Sequence, residues 1–208
     1  HAGDAQNFLR HRTVQQSLAA ERLVKILAFG RSKATLLRDL PRAVERRAAA
    51  LVRADPRAME QLQSWLPTSV GGECAAVVSL WHAADPLDLA RWFARLRDPD
   101  APMFLDRARL PKAPWSGMRL RHFRFAHADL GGADLRRCDL SGAVLLRANL
   151  TAADLRSACL DGVLADNALL SKAALGEVHA TEGCFRGADL HGADLSCAHL
   201  RRARFDRA

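Results

Sequence analysis

From Leu120 to Phe205 a large apolar residue returns at every fifth position. The series begins Leu120, Phe125, Leu130, Leu135, and of its eighteen members only Ala165 and Ala180 are neither Leu nor Phe. A second series runs two residues earlier, from Met118, Phe123, Ala128, Ala133 and Cys138 to Ala203; Ala dominates it, and each member is apolar or Gly. A period of five fits neither a helix at about 3.6 residues nor a flat strand at about 2. It suits a chain that turns a corner every five residues and points one large and one small side chain inward on each side. The large residue fills a narrow tube and the small one lets the walls approach. The small residues Ala165, Ala180 and Gly183 cluster in 163–185. There the tube should narrow or hold a cavity, or bulge locally and turn Leu164 or Leu169 inward.

The first half follows a different rhythm. Thr13 is placed to cap a helix carrying Val14, Leu18, Leu23, Ile26 and Leu27, closed by Gly30. Ser32 opens a short helix through Leu37, Pro41 one with Val44, Leu51 and Val52, and Pro56 one through Trp65. Cys74 to His82 is a compact apolar helix, and Pro86 opens a last one through Leu96. About six short amphipathic helices are expected. Prolines at 99, 102, 111 and 114 break the pattern. The expected domains are an α-helical domain at 1–97, a linker or solenoid cap at 98–117, and the repeat at 118–208. The helical domain is also suited to cover the first turn of the repeat, because an open end exposes core and unpaired backbone.

The segments Ala128-Asp129-Leu130, Ala133-Asp134-Leu135, Ala148-Asn149-Leu150, Ala153-Asp154-Leu155, Ala188-Asp189-Leu190 and Ala193-Asp194-Leu195 resemble the A(D/N)LXX unit of the pentapeptide-repeat family. That resemblance implies an all-β right-handed quadrilateral β-helix with four units per coil, here preceded by the α-helical domain. Eighteen units make about four and a half coils, a rod of roughly 22 Å at the β-ladder spacing. The repeat reaches Phe205 with no capping helix, so either the natural protein continues past Ala208 or two chains meet end to end as a homodimer. Family members of the quinolone-resistance type dimerise at that end, through a cap that this sequence lacks.

With four units per coil, residues twenty apart stack on one face. One outward column reads Arg124, Val144, Leu164, Cys184, Arg204, and its neighbour Ala126, Leu146, Asp166, Arg186, Asp206. Leu169 stands on the adjoining face where Asp or Asn is usual. Val144, Leu146, Leu164 and Leu169 therefore form a candidate partner-binding cluster; docking of the chain's own helical domain is the alternative. Arg136 and Arg156 stack on a third face with Arg137 beside them, a candidate site for a phosphate or carboxylate or a solvated charged ladder. Cys159, His179 and His199 stack on the fourth. Ligands along a flat ladder converge poorly on a tetrahedral ion, so no metal is assigned, and no cofactor is implied.

Charge and cysteines narrow the reading. Net charge is +8. Residues 1–117 hold 18 Lys and Arg against 12 Asp and Glu, and residues 118–208 hold 13 against 11. The basic half permits weak attraction to nucleic acid or acidic membranes, but an Arg-rich solvated helical surface accounts for it, and neither partner is assigned. Five cysteines without CxxC spacing point to free thiols in a reducing, cytoplasmic compartment. There is no run of about eighteen apolar residues and no signal peptide; the chain starts at His1 rather than Met, as a processed product would. Phosphate-binding loops, nucleophile elbows, zinc-protease motifs and dinucleotide fingerprints are absent from the sequence. Cys74, near a helix start, reads as a buried structural thiol, and His82 lies about two turns on, too far for a dyad.

The sequence thus points to a non-catalytic scaffold that binds another protein, with no small-molecule substrate. Its layout of a non-repeat domain before a rod is similar to bacterial effectors that act in a host cytosol. Two alternatives stand beside it. One is a gyrase-binding DNA mimic, which needs an acidic rod. The other is the substrate-recruiting part of a larger effector ubiquitin ligase.

Overall fold

The computed structural model describes residues 15–25, 41–65, 72–95 and 103–208. Its first part is helical: α1 at 15–25, α2 Arg42–Ala54, α3 Pro56–Trp65, α4 Gly72–Ala84 and α5 Pro86–Ala94. The expected cap Thr13, the stop at Gly30 and the helix from Ser32 lie outside the described residues. Two Asp-Pro pairs start helices by one device. Asp85 accepts the N–H groups of Leu87 and Asp88 while Pro86 takes the first helical position, and Asp55 accepts from Arg57 at 3.0 Å and Ala58 at 3.4 Å ahead of Pro56. Pro41 precedes α2 as its cap rather than its first helical residue; its carbonyl accepts from Val44 and Glu45.

Helix α4 is apolar on nearly all sides, which puts it in the middle. It packs against α2, α3 and α5, and Val77, Val78, Leu80 and Trp81 are buried there with Val52, Leu62 and Leu89. Asp88 fixes α5 to this centre by accepting from Trp81 Nε1 at 3.1 Å and Gln63 Nε2 at 3.0 Å.

Residues 103–208 form the rod. Parallel bridges join residues twenty apart on four faces, from Phe104↔Arg124 to Cys184↔Arg204. Each face is five residues long, and one bridge residue per face precedes the inward Leu or Phe. The backbone bonds repeat with equal regularity. A centre residue donates its N–H to the coil after it, as Leu130 does to Asn149 O at 2.7 Å, and a bridge residue donates to the coil before it, as Asn149 does to Ala128 O at 2.8 Å. Each corner is a turn closed by a bond such as Ala133 N–H to Leu130 O at 3.1 Å. Its second residue past the centre has φ between 54° and 73°, the left-handed region.

The corner explains the Asp of the repeat. Its first residue carries an N–H that points away from the ladder, and the Asp or Asn two residues earlier accepts it. Asp129, Asp134, Asp139, Asn149, Asp154, Asp189 and Asp194 all do so, with bonds of 2.9 to 3.3 Å. This short local bond satisfies a donor that the backbone of neither neighbouring coil takes up; at Ala126, Thr181 and Arg186 an Asp of the preceding coil accepts it instead.

The register starts earlier than the sequence reading placed it. Residues 103–117, expected as linker or cap, are the first coil, with Leu105, Leu110 and Trp115 at the centres and Ala108 and Ala113 beside them, all 0% exposed. Pro111 and Pro114 resemble linker prolines, yet both sit where the ladder asks for no donor. Pro114 occupies a bridge position whose N–H would point at a preceding coil that this coil does not have. The rod is therefore a little over five coils, about 25 Å.

The expected bulge is not formed. Ala165 and Ala180 are buried at the centres, and Leu164 and Leu169 point outward, 42% and 46% exposed. An aromatic packs against the third small residue of this stretch, Gly183. A Cβ on Gly183 would lie 2.8 Å from Cε2 of Phe185, and Phe185 stacks on Phe205 with centroids 5.0 Å apart.

Candidate functional site

The amino-terminal end of the rod is closed by the helices. In an interior coil a bridge N–H bonds the coil before it, so the first coil carries orphans. Arg109 donates its N–H to Ser79 Oγ of α4 at 2.8 Å, and His82 Nε2 lies 2.9 Å from the Pro111 carbonyl oxygen. Arg109 also pairs its guanidinium with Glu45 of α2. Below these bonds an aromatic chain crosses from bundle to rod. Trp81 meets Trp92 at 5.6 Å, Phe93 meets Trp115 at 5.3 Å and Phe123 at 6.2 Å, and Trp115 meets Phe125 at 6.1 Å. Among the described residues the helices thus meet the rod at its end.

Burial decides the roles of Cys74 and His82. Cys74 is 4% exposed and desolvation pushes its thiol up to about 11, so it is a packing residue rather than a nucleophile. Desolvation lowers the pKa of His82, against a smaller raising effect of its bond to Pro111. Nδ1 of His82 has no hydrogen-bond partner.

Two sides of the rod carry polar contacts of their own. On the third face Arg136 and Arg156 do stack, but each clasps an aspartate. Arg136 donates twice to Asp134 at 2.8 Å, and Arg156 donates to Asp154 at 2.9 and 2.6 Å. These bonds hold the carboxyls of Asp134 and Asp154 below their usual range. Arg137 stands exposed at the adjoining corner. Each of these two ladder guanidiniums thus carries a carboxylate on its Nε and Nη2 side and, among the described residues, keeps Nη1 free. On the fourth face Cys159, His179 and His199 occupy consecutive rungs; the imidazoles stack with centroids 4.5 Å apart, and Cys159 Sγ lies 3.1 Å from Ser141 Oγ. Among the described residues no three His, Cys, Asp or Glu side chains form a metal-binding group. The second face carries small residues such as Gly131, Thr151 and Ser171, with Leu169 among them.

The remaining face differs. Its bridge column runs Phe104, Arg124, Val144, Leu164, Cys184, Arg204 without interruption. Phe104 and Leu164 are each 42% exposed, and Val144, Leu146 and Cys184 are half-buried. Leu169 lies round the next corner rather than on the same plane. Phe104 was not legible as part of this face, because residues 98–117 read as a linker. The signal was present: stepping back by fives from Leu120 finds Trp115, Leu110 and Leu105. The Arg124 guanidinium lies 5.6 Å from the Phe104 ring centroid, a cation–π arrangement.

With this geometry in hand, the known proteins can be compared. The family pattern "Pentapeptide repeats" matches residues 128–164 and 184–208 in eight copies. The gap between the two stretches contains Ala165, Ala180 and Gly183, and the coil register runs through it unbroken. Among solved structures, a pentapeptide repeat protein from the cyanobacterium Cyanothece 51142 is 31% identical, over 43% of this chain and 61% of that one, with a TM-score of 0.43. HetL, a pentapeptide repeat protein involved in heterocyst differentiation regulation from Nostoc sp. strain PCC 7120, is 31% identical, over 51% of this chain and 56% of that one, with a TM-score of 0.26. QnrB1, a plasmid-mediated fluoroquinolone resistance protein, is 21% identical, over 49% of this chain and 60% of that one, at a TM-score of 0.26. The chain thus spans less than two thirds of the length of each of these structures. A comparison with curated proteins finds no match.

Proposed function

The rod of this chain is built of pentapeptide repeats and forms a right-handed β-helix, and from that premise we propose that the protein is a non-catalytic scaffold that binds another protein through the face carrying Phe104, Val144, Leu146 and Leu164. One observation carries the reading. Leu164 and Leu169 occupy rung positions where the repeat normally places Asp or Asn. An Asp there would satisfy a corner amide, whereas Leu forgoes that bond and presents an exposed apolar side chain. The cost is local and the gain lies outside the rod.

The acidic-rod alternative, a DNA mimic, has less support. The carboxylates of the rod are largely engaged with corner amides and with Arg136 and Arg156, and from 118 onward they are outnumbered 13 to 11 by cations. All five thiols are free, which favours a reducing compartment; action inside a host cell is a further proposal on the same ground.

The test is capture of partner proteins by the native chain and by a Leu164→Asp/Leu169→Asp variant. Aspartate already holds the equivalent position of other repeat units at Asp129, Asp134 and Asp154, so the variant should keep its fold, which circular dichroism checks. Loss of a specific captured protein supports the face; unchanged capture by the folded variant removes it.

A further inference from the structure

We infer that the partner segment docked on this face is an acidic amphipathic helix, with an apolar row laid along Val144 and Leu164 and carboxylates reaching the flanking arginines. This rests on the scaffold reading above and specifies the chemistry of its partner.

The charge distribution comes first. Residues 103–208 carry a net charge of +4, and the face running from Phe104 to Arg204, with its trailing corner, holds +3 of it: six arginines against three aspartates. The face with the apolar column is therefore also the most basic side of the rod. Its aspartates are committed. Asp106 accepts the Ala126 N–H at 2.9 Å, Asp166 accepts the Arg186 N–H at 3.0 Å, and Asp206 lies 3.4 Å from Arg186 and 3.8 Å from Arg204. Arg147, beside Leu146 and level with Val144, is exposed and makes no ion pair among the described residues. An apolar strip bordered by surplus cations selects a ligand that is apolar in the middle and anionic at its edges.

The backbone then restricts the shape of that ligand. Along the side of the rod the bridge and centre N–H groups bond neighbouring coils, and on this face Asp106 and Asp166 hold the corner amides of Ala126 and Arg186. An added strand would find no free ladder there, so the contact is made by side chains. Rungs repeat at about 4.8 Å along the rod and helix turns at about 5.4 Å. A helix lying parallel to the axis therefore brings successive side chains of an i, i+3, i+7 row close to successive rungs, which is the groove-docking mode of amphipathic helices.

The experiment uses the full chain and fluorescein-labelled model helices of about twenty residues, one with a Leu row flanked by Glu and a matched one flanked by Lys. Binding is read by anisotropy. The Glu helix should bind, and should weaken several-fold between about 0.05 and about 0.3 M salt. Leu164→Asp should cost about tenfold or more, and Arg147→Glu about three- to tenfold. Glu is accommodated at the same left-handed corner position at Glu177 and Glu182, so the second variant is expected to fold. If the Lys helix binds as well as the Glu helix and Leu164→Asp abolishes both, the acidic assignment is overturned while the docking face stands. If neither helix binds but phosphatidylglycerol vesicles do, the inference is overturned in favour of a lipid surface. Binding of none of the three probes overturns it outright. Partner capture that persists in the Leu164→Asp/Leu169→Asp variant separately removes the scaffold face itself.

Discussion

Ser79 Oγ accepts the backbone N–H of Arg109 at 2.8 Å while donating to the carbonyl of Ala75 at 2.6 Å. A hydroxyl on a buried helix thus stands in for the coil that would otherwise precede the first coil of the rod. It returns its own proton to the helix, so the hydroxyl is satisfied as both donor and acceptor. Ser79→Ala should remove this acceptor from the part-buried Arg109 amide, at a cost of about 1 kcal/mol. Urea unfolding of the whole chain measures the loss, and hydrogen exchange at Arg109 should accelerate well above that of the mid-rod amides.

The junction should also be acid-sensitive through His82. Its folded pKa is depressed, so the neutral ring is the form the fold accommodates. Stability from this group is fully present above the unfolded value of ~6.5. It falls as pH drops from there towards the folded pKa, because the unfolded chain takes up the proton first. Unfolding free energy measured between neutral and mildly acid pH should decline, and a His82→Gln variant should flatten that decline.

Gly183 and Phe185 form a coupled pair. A Cβ at Gly183 would meet the Phe185 ring at 2.8 Å, so Gly183→Ala should destabilise the rod by about 1 to 3 kcal/mol through overpacking. Adding Phe185→Leu should return part of that loss. A double-mutant cycle followed by thermal unfolding would show a coupling well outside additivity.

The thiols should divide by depth. Cys197 is exposed, whereas Cys74 and Cys138 are buried, with pKa values raised by desolvation to about 11 and about 12. Iodoacetamide on the native chain should modify Cys197 fastest and spare Cys74 and Cys138 until denaturant is added. Peptide mass mapping would resolve the order, and early labelling of Cys138 would mean that the tube opens.

Much of the fold was legible along the chain because a pentapeptide coil is local in character. Its period, its inward Leu and Ala, and the Asp that binds an amide two residues on are all satisfied within one turn or by a neighbour twenty residues away. That fixed phase placed Val144 and Leu164 on one column before any coordinates. It also predicted the helices opened by Pro56 and Pro86, since a helix start is set by a few adjacent residues. The ends of the phase were harder to read. Residues 103–117 carry prolines whose meaning depends on which amides lack a partner, and only the three-dimensional ladder shows that Pro114 sits where a donor would be stranded. Whether the coil would bulge at Ala165 was undecidable from sequence, because which way Leu164 and Leu169 point depends on the packing of neighbouring coils; both point outward. Likewise Arg136 and Arg156 look free in the sequence, and their own aspartates hold them once the chain folds. The sequence by itself determined the coil, its register and the identity of its outward columns. Tertiary structure alone decided how the described helices close the first coil, because that outcome depends on contacts between residues that no local period relates.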